Sequence, residues 1–369
     1  MSWLAAANVY SLPRWEVDGH WVADAAREIS IGIIALSLAF ATTTQSQTRR
    51  STSPFTQKNV EPKPTRFPLK IPKSGPATLQ LEILLDRAGF SPGIIDGTWG
   101  INAAKAITFF AYPDDNRRFT GDSPPAVTSL DEKTYERLRS SARPISLMRW
   151  YTVGSGDLAG PFTPIPENVY QQAKLSCLCY SSPAEALAER FHTSSKFLAQ
   201  LNPKVKIESL EAGTRLLVPN VELDGSALPQ DTAIAARIII SKKGFWTHVI
   251  DSAGKIIYHF PSTLGAGYDP SPSGDFKVTD VTHDPAFRYQ PKLFAEVPDN
   301  EPPALLPRGP NSPVGVVWIS LSKPHYGIHG TSSPETIGYA SSHGCVRLTN
   351  WDALRLSELA DIGTPVQFR

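Results

Sequence analysis

The sequence predicts a multidomain chain: a C-terminal mostly-β sandwich or half-barrel with one helix, preceded by a small α-helical domain and a small α+β module. Three observations predict it. The chain has 369 residues, too many for one ordinary core. Apolar residues recur at helical spacing between Ala77 and Tyr112, and from Ala235 onward the texture changes to short apolar runs punctuated by turns. The composition, 41% hydrophobic and 19% charged, is globular. A net charge of +1 supplies no field to gather nucleic acid or an anionic membrane, so no nucleic-acid partner is expected.

The first element, residues 1–41, ends in the uncharged apolar run Ile29 to Ala41. The run is short for a bilayer span and suits a signal-peptide core with a small-x-small site at Ala39-Phe40-Ala41. The residues before it carry Glu16, Asp18, Asp24 and Glu28 against Arg14 and Arg27, the reverse of a positive leader. Either the true start lies downstream of Met1 or the segment stays as an uncleaved N-terminal anchor, the only membrane contact expected. Residues 42–76 are rich in Ser, Thr, Pro, Lys and Arg and read as a disordered linker. The two together point to an exported protein of the periplasm or cell envelope.

The helical domain is assigned to residues 77–143. Ala77, Leu81, Leu84, Leu85 and Ala88 make one helical stripe closed by Gly89, and a second helix, Asn102 to Tyr112, uses Ala103, Ala106, Ile107 and Phe110. The tight turn G-I-I-D-G-T-W-G, Gly93 to Gly100, joins them. With the preceding L-Q and A-G-F, this pattern resembles the small helical peptidoglycan-binding domain found beside wall enzymes.

The next module is assigned to residues 147–221. It opens with W-Y-T-V-G-S-G-D-L from Trp150 and resumes after an insertion with the capping box Ser182-Pro183-Ala184-Glu185. A second short helix ends at Leu201-Asn202-Pro203, and Gly213 to Pro219 reads as a closing strand. Strand, helix, helix, strand with Y-T-V-x-x-G-D and G-T-R-L-L-V-P resembles the LysM module, which implies contact with glycan strands. The insertion carries Cys177-Leu178-Cys179, read as two buried small apolar groups in preference to a local disulfide. Either reading leaves Cys345 without an obvious partner, a candidate reactive thiol.

In the last domain, residues 235–369, strands are expected at Ala235 to Ser241, Phe245 to Asp251, Lys255 to Phe260, Asp275 to Val281 and Val314 to Leu321. One helix is expected from Trp351 to Ala360, capped by Asn350. Near the end, S-S-H-G-C-V-R-L (Ser341 to Leu348) follows G-I-H-G-T (Gly327 to Thr331). A thiol attacks carbonyl carbon as thiolate and needs an imidazole or another positive neighbour to lose its proton. Cys345 is the candidate nucleophile, and His329 and His343 are the candidate bases. Two residues apart in extended chain, His343 and Cys345 share a face, yet a base in contact is easier to place from another strand, as His329 can be. Gly344 permits a sharp turn with backbone N–H groups facing a developing oxyanion, and Gly330 leaves the imidazole accessible. Arg347 lies two residues past the thiol with a fork suited to a carboxylate.

H-G-T, twelve intervening residues, then S-H-G-C-V-R, a helix and a terminal G-T-P-V strand resemble the catalytic domain of the L,D-transpeptidases of bacterial cell walls. Y-H-F-P-S-T-L-G at Tyr258, S-P-S-G-D-F-K-V at Ser271 and N-S-P-V-G at Asn311 agree. The resemblance implies that Cys345 is the nucleophile, His329 the base and the carbonyl of Gly330 its orienting group. It also implies that His343 and Ser342 shape the oxyanion side, that Arg347 and Tyr326 meet stem carboxylates, and that Asp284 to Pro313 forms a lid. The implied reaction is acyl transfer from a tetrapeptide stem, with release of D-alanine, to an amine, and acylation by carbapenems goes with it. A stem peptide, a lipoprotein lysine and water stay open as acceptors. Water would make the chain an L,D-carboxypeptidase or cysteine peptidase, and loss of activity a wall-binding scaffold. No cofactor is implied. Zinc held by His325, His329, His343 and Cys345 is disfavoured, since H-x-x-x-H would need a helix where Gly327-Ile328 suggests a strand.

Overall fold

The computed structural model of the protein describes residues 53–369 apart from 144, 222–234, 268, 294–296, 299 and 341. The expected signal segment, 1–41, and the start of the expected linker lie outside the described residues. Residues 53–76 correct the linker assignment. They hold helix α1 (Gln57–Val60), whose N-cap Thr56 accepts from Asn59 N, and strand β1 (Leu69–Lys70). Val60 is fully buried, and Phe55, Phe67, Leu69 and Ile71 pack against the core. These five apolar side chains are spread thinly enough among Pro and Lys that composition conceals them, yet together they reach one surface.

The helical module follows as α2 (Pro76–Arg87), α3 (Ile101–Ala111), β2 (Ser129–Leu130) and α4 (Glu132–Ser141), with β1 and β2 antiparallel. Proline at the first turn of α2 and Gly89 beyond its end, at φ +82°, bound the helix as the sequence signals require. The turn between α2 and α3 is organised on one buried carboxylate: Glu82 accepts from the backbone N–H groups of Asp96 (3.2 Å) and Gly97 (2.8 Å). Burial raises its pKa well above the ordinary range.

The middle module is β3 (Met148–Thr152), the inserted helix α5 (Val169–Gln172), α6 (Pro183–Arg190), α7 (Ser195–Leu201) and β4 (Arg215–Pro219). Its strands pair antiparallel and its own small core gathers Val153, Leu187, Phe191, Leu198 and Leu216. Ser182 caps α6 by accepting from Glu185 N, and the Glu185 carboxylate reaches back to Ser181 N. The cysteines of the insertion correct the sequence reading: Cys177 and Cys179 are joined by a disulfide and are half-buried rather than hidden.

The last domain comprises β5 (Arg237–Ser241), β6 (Trp246–Ile250), β7 (Ile256–Pro261), β8 (Gly274–His283), β9 (Phe287–Tyr289), β10 (Ala304–Leu306), β11 (Val317–Leu321), β12 (Gly327–His329), β13 (Val346–Arg347), helix α8 (Asn350–Leu359) and β14 (Pro365–Phe368). Eight strands form one mostly antiparallel sheet, ordered β13-β12-β11-β8-β14-β5-β6-β7. The pairs β12–β13 and β14–β5 are parallel. β9 and β10 form a separate hairpin within the expected lid. Ala353, Leu356 and Leu359 of α8 join Ile238, Ile240, Val249 and Ile328 in a core on the sheet. The cap of α8 also corrects the sequence: Thr349 accepts from Asp352 N, which frees the Asn350 side chain for another task.

β7 ends the sheet, and an uncovered edge strand would expose a row of unpaired backbone groups. The helical module covers it: Ser91 N donates to His259 O and His259 N to Gly89 O, both at 2.9 Å. Beside this seam one core runs through all three parts. Leu79, Phe109 and Tyr135 of the helical module meet Phe197 and Leu217 of the middle module and Ile239, Trp246 and Ile256 of the sheet. Phe109 lies 5.2 Å from the Trp246 ring, 4.3 Å from His248 and 5.1 Å from His259. The modules are therefore built onto the sheet rather than strung in front of it. Phe109→Ala is expected to cost about 3–5 kcal/mol of stability, read in urea unfolding as a lower midpoint for the Trp246 environment and the helical signal together.

Candidate active site

The short strand β12 carries His329 and the short strand β13 carries Arg347, and their parallel pairing sets Ile328 opposite Val346 and His329 opposite Arg347. Cys345 stands immediately before β13, so the thiol and the imidazole come from adjacent strands, two residues out of level. A diagonal of that kind spans about 7–8 Å between Cα atoms, within reach of both side chains. Strand β11 lies on the other side of β12 and stacks the Trp318 ring on His329, with centroids 5.2 Å apart and planes 18° apart.

His329 Nδ1 is 2.7 Å from the Gly330 carbonyl oxygen. A carbonyl only accepts, so Nδ1 carries the hydrogen and Nε2 keeps the lone pair of a base. The ring is buried, and burial first, then the charge of Arg347, lowers its pKa to about 3 against the opposing Gly330 bond. Burial likewise pushes the Cys345 thiol up, opposed by a backbone hydrogen bond at Gly327 and by Arg347. The thiol donates to the His325 carbonyl at 3.6 Å. At neutral pH the pair is thus a thiol beside a neutral imidazole rather than a preformed thiolate and imidazolium.

The turn that delivers Cys345 is tied at both its carbonyls. Ser271 Oγ donates to Gly344 O (2.7 Å) while accepting from Gly265 N (2.9 Å), and Ser342 Oγ donates to Cys345 O (2.6 Å). Gly344 has φ +90°, and a Cβ on it would fall 2.8 Å from the Tyr326 ring. Glycine is required there both by conformation and by space. Tyr326 borders the thiol: burial, Asp269 and Cys345 raise its pKa, in that order. His343 is half-buried in the same turn. The structure thus gathers Cys345, His329, Gly330, Ser342, Gly344, Arg347, Tyr326 and His343 on neighbouring segments. His325, at φ +67° and exposed, contributes its carbonyl rather than its ring.

Sequence reasoning missed Asn350 and Glu189. Asn350 Oδ1 accepts from Thr331 N (3.2 Å) and Val316 N (3.3 Å), and its Nδ2 donates to Pro310 O (3.1 Å) and Glu189 Oε1 (3.0 Å). This carboxamide underlies the His329-Gly330 turn so closely that a Cβ on Gly330 would lie 2.2 Å from Oδ1. Glu189 belongs to α6 of the middle module, also accepts from Tyr180 OH (2.8 Å), and is raised by burial to about 7. Nothing local announces a partner 161 positions away. Asn350→Ala is expected to cost about 1–3 kcal/mol by leaving buried backbone donors unpaired, seen as a lower unfolding midpoint with faster alkylation of Cys345.

Residues 235–368 match the family model described as the L,D-transpeptidase catalytic domain. A Bacillus licheniformis protein with the provisional name L,D-transpeptidase YkuD is 29% identical over 182 residues, 49% of this chain and 90% of its own length. That span exceeds the stretch from residue 235 to the end, so the similarity runs into the residues before the domain. An Escherichia coli K12 protein provisionally named L,D-transpeptidase YbiS is 30% identical over 191 residues, 51% of this chain and 60% of its own. Among solved structures, L,D-transpeptidase 3 from Mycobacterium tuberculosis aligns at 15% identity with a TM-score of 0.31, over 44% of this chain and 76% of that one.

Proposed function

We propose, on the premise that residues 235–368 form an L,D-transpeptidase catalytic domain, that the chain is a cysteine acyltransferase acting on peptidoglycan stem peptides in the cell envelope. The observation that carries the reading is the His329 Nδ1–Gly330 O bond, which leaves Nε2 unprotonated on the strand beside Cys345. In the first half-reaction Nε2 takes the thiol proton as Sγ attacks the carbonyl between the L-centre of diaminopimelate and the terminal D-alanine of a tetrapeptide. Backbone N–H groups of the turn around Gly344 stabilise the oxyanion. The imidazolium returns its proton to the departing D-alanine amine, and a thioester remains on Cys345. In the second, an acceptor amine attacks the thioester, a proton passes through Nε2 to the sulfur, and the C–S bond breaks.

Arg347 and Tyr326 border the thiol from positions suited to stem carboxylates, and His343 and Ser342 hold the turn. The middle module serves as part of the site's foundation through Glu189, and its strand-helix-helix-strand order also suits glycan binding. Among the described residues no helix is long and apolar enough to cross a membrane, and the export reading rests on the expected signal segment, residues 1–41, which lies outside the described residues.

Carbapenem treatment of the full chain followed by intact-mass measurement is expected to give one covalent adduct, absent from Cys345→Ala. An unmodified, folded wild-type protein would overturn the assignment. His329→Ala is expected to slow acylation about 10²–10⁴-fold. The pH dependence has a definite sign: an imidazole with its pKa lowered to about 3 stays base-competent well below 6.5. Acylation should therefore show no acid limb near pH 6–7, and a limb found there would contradict the neutral pair. Muropeptide profiles decide the acceptor, with dimers joined through diaminopimelate indicating transfer and trimmed tripeptides alone indicating hydrolysis.

A further inference from the structure

Between the base on β12 and the nucleophile turn, the chain makes an excursion that comes to rest on the helical module. A single 3₁₀ turn, Pro334–Thr336, is followed by the buried Ile337 and by Gly338 at φ +81°. Helix α3 meets the loop there. Asn102, the second residue of α3, donates through Nδ2 to Ile337 O at 2.9 Å. The same carboxamide lies flush against Gly338, where a Cβ would collide with Oδ1, so the bend needs glycine for space as well as for conformation. Resting on the acyl-transfer reading above, we propose that Asn102 is a positioning residue for the reaction. It fixes the loop between base and nucleophile, and through Thr263 that loop fixes the strand beside Cys345.

The link is continuous. Thr263 is fully buried on the other side of the bend, where its Oγ1 accepts from Gly338 N (3.0 Å) and donates to Thr336 O (3.2 Å). Its backbone exchanges two bonds with Arg347, Thr263 N to Arg347 O at 3.0 Å and Arg347 N to Thr263 O at 2.9 Å. Arg347 is the β13 residue opposite His329 and stands two past Cys345. A little further along, Ser342 N donates to Leu264 O (2.8 Å) and Ala266 N to Ser342 O (3.0 Å). Residues 263–266 are therefore held between the loop on α3 and the turn that delivers the thiol. A shift of the loop reaches the turn through them. The chemistry is sensitive to such a shift, because a misplacement of about 1 Å between reacting groups costs about 10²-fold in rate.

The chemistry of the contact argues for positioning rather than adhesion. Asn102 is buried, and its Oδ1 has no hydrogen-bond partner among the described residues. A buried acceptor left in that state is destabilising, so an apolar side chain would join the two modules at lower cost. What the carboxamide adds is direction. It ties one donor to one carbonyl at a bend whose other face is tied to Thr263. Adhesion between the modules is supplied elsewhere, by the Phe109 cluster and by the backbone bonds of Gly89 and Ser91 to His259. The helical module is thus part of the frame that sets the thiol against its base, and Asn102 is the residue through which it acts.

The test measures carbapenem acylation of the full chain over a range of carbapenem concentrations, separating the saturating rate constant from the half-saturating concentration, with the folded fraction read by circular dichroism. Asn102→Ala and Thr263→Val are each expected to lower the saturating rate constant about tenfold, with the half-saturating concentration changed less than about twofold. The double variant is expected to be no slower than the slower single one, because both act through one loop. Asn102→Leu, which keeps the bulk and removes the donor, carries the same expectation should the alanine variant fail to fold. Leu138→Ala, a cavity in α4 of the same module, is expected to lower the unfolding midpoint and leave the rate constant per folded molecule unchanged. A wild-type rate constant in the Asn102 variants, multiplied effects in the double variant, or equal slowing in Leu138→Ala would overturn the positioning role. An unmodified wild type would instead sink the acyl-transfer reading itself.

Discussion

The chemistry depends on the parallel alignment of two very short strands, β12 and β13, at one edge of the sheet. Two paired positions are a weak ladder, and parallel pairing is slightly the weaker kind. What makes it definite is the ring of side-chain and bridge contacts around it. Thr263 N donates to Arg347 O and Arg347 N to Thr263 O, which adds a partner on the open side of β13. Ser342 N donates to Leu264 O, Ser271 holds Gly344, and Asn350 holds the turn after His329. Slippage by one residue would turn Cys345 and His329 to opposite faces, because side chains alternate along a strand. The many small bonds around the turn therefore protect a register more than they supply raw stability.

That support extends beyond the domain that carries the nucleophile. Asn350 is fixed from beneath by Glu189 of the middle module, and β7 is covered by the segment after α2. His192 of the middle module stacks on Trp351 of α8 with planes 10° apart, and its ring nitrogen lies 2.9 Å from Asp86 of α2. Three pieces of chain meet at this one imidazole. Its pKa is raised although burial opposes it, through Asp86 and then Asp352 and Glu189. An imidazole whose protonated form is favoured by acidic groups from three modules is costly to expose on any one side, and that couples their docking.

The sequence revealed what is local. Ser182 caps its helix, Gly89 ends α2, and the runs at Ile238 and Val249 lie within strands, because each of these is a short-range pattern of hydrogen bonds or burial. The glycines beside Cys345 and His329 were informative for the same reason. Asn350 shows the limit. A polar residue ahead of a helical run reads as a cap, and only the fold reveals that Thr349 has taken that role. Residues 53–76 failed in the opposite direction: low apolar density suggested disorder, while five well-spaced side chains found a surface built by sequence far away. The disulfide between Cys177 and Cys179 was equally hidden, since spacing alone does not say how a chain bends between two cysteines.

The electrostatics of the pair follow from where the register puts it. Lodging an imidazole against Trp318 and a thiol beneath Tyr326 removes water from both, and desolvation penalises whichever member would be charged. Arg347 acts oppositely on the two, disfavouring an imidazolium and favouring a thiolate. The same cation would stabilise negative charge as it develops on sulfur or on a bound carboxylate. Such a site stores little reactivity at rest and creates it only when substrate brings the proton transfer and the attack together. That arrangement protects the thiol at rest, because the thiolate, and not the thiol, is the form that oxidants consume.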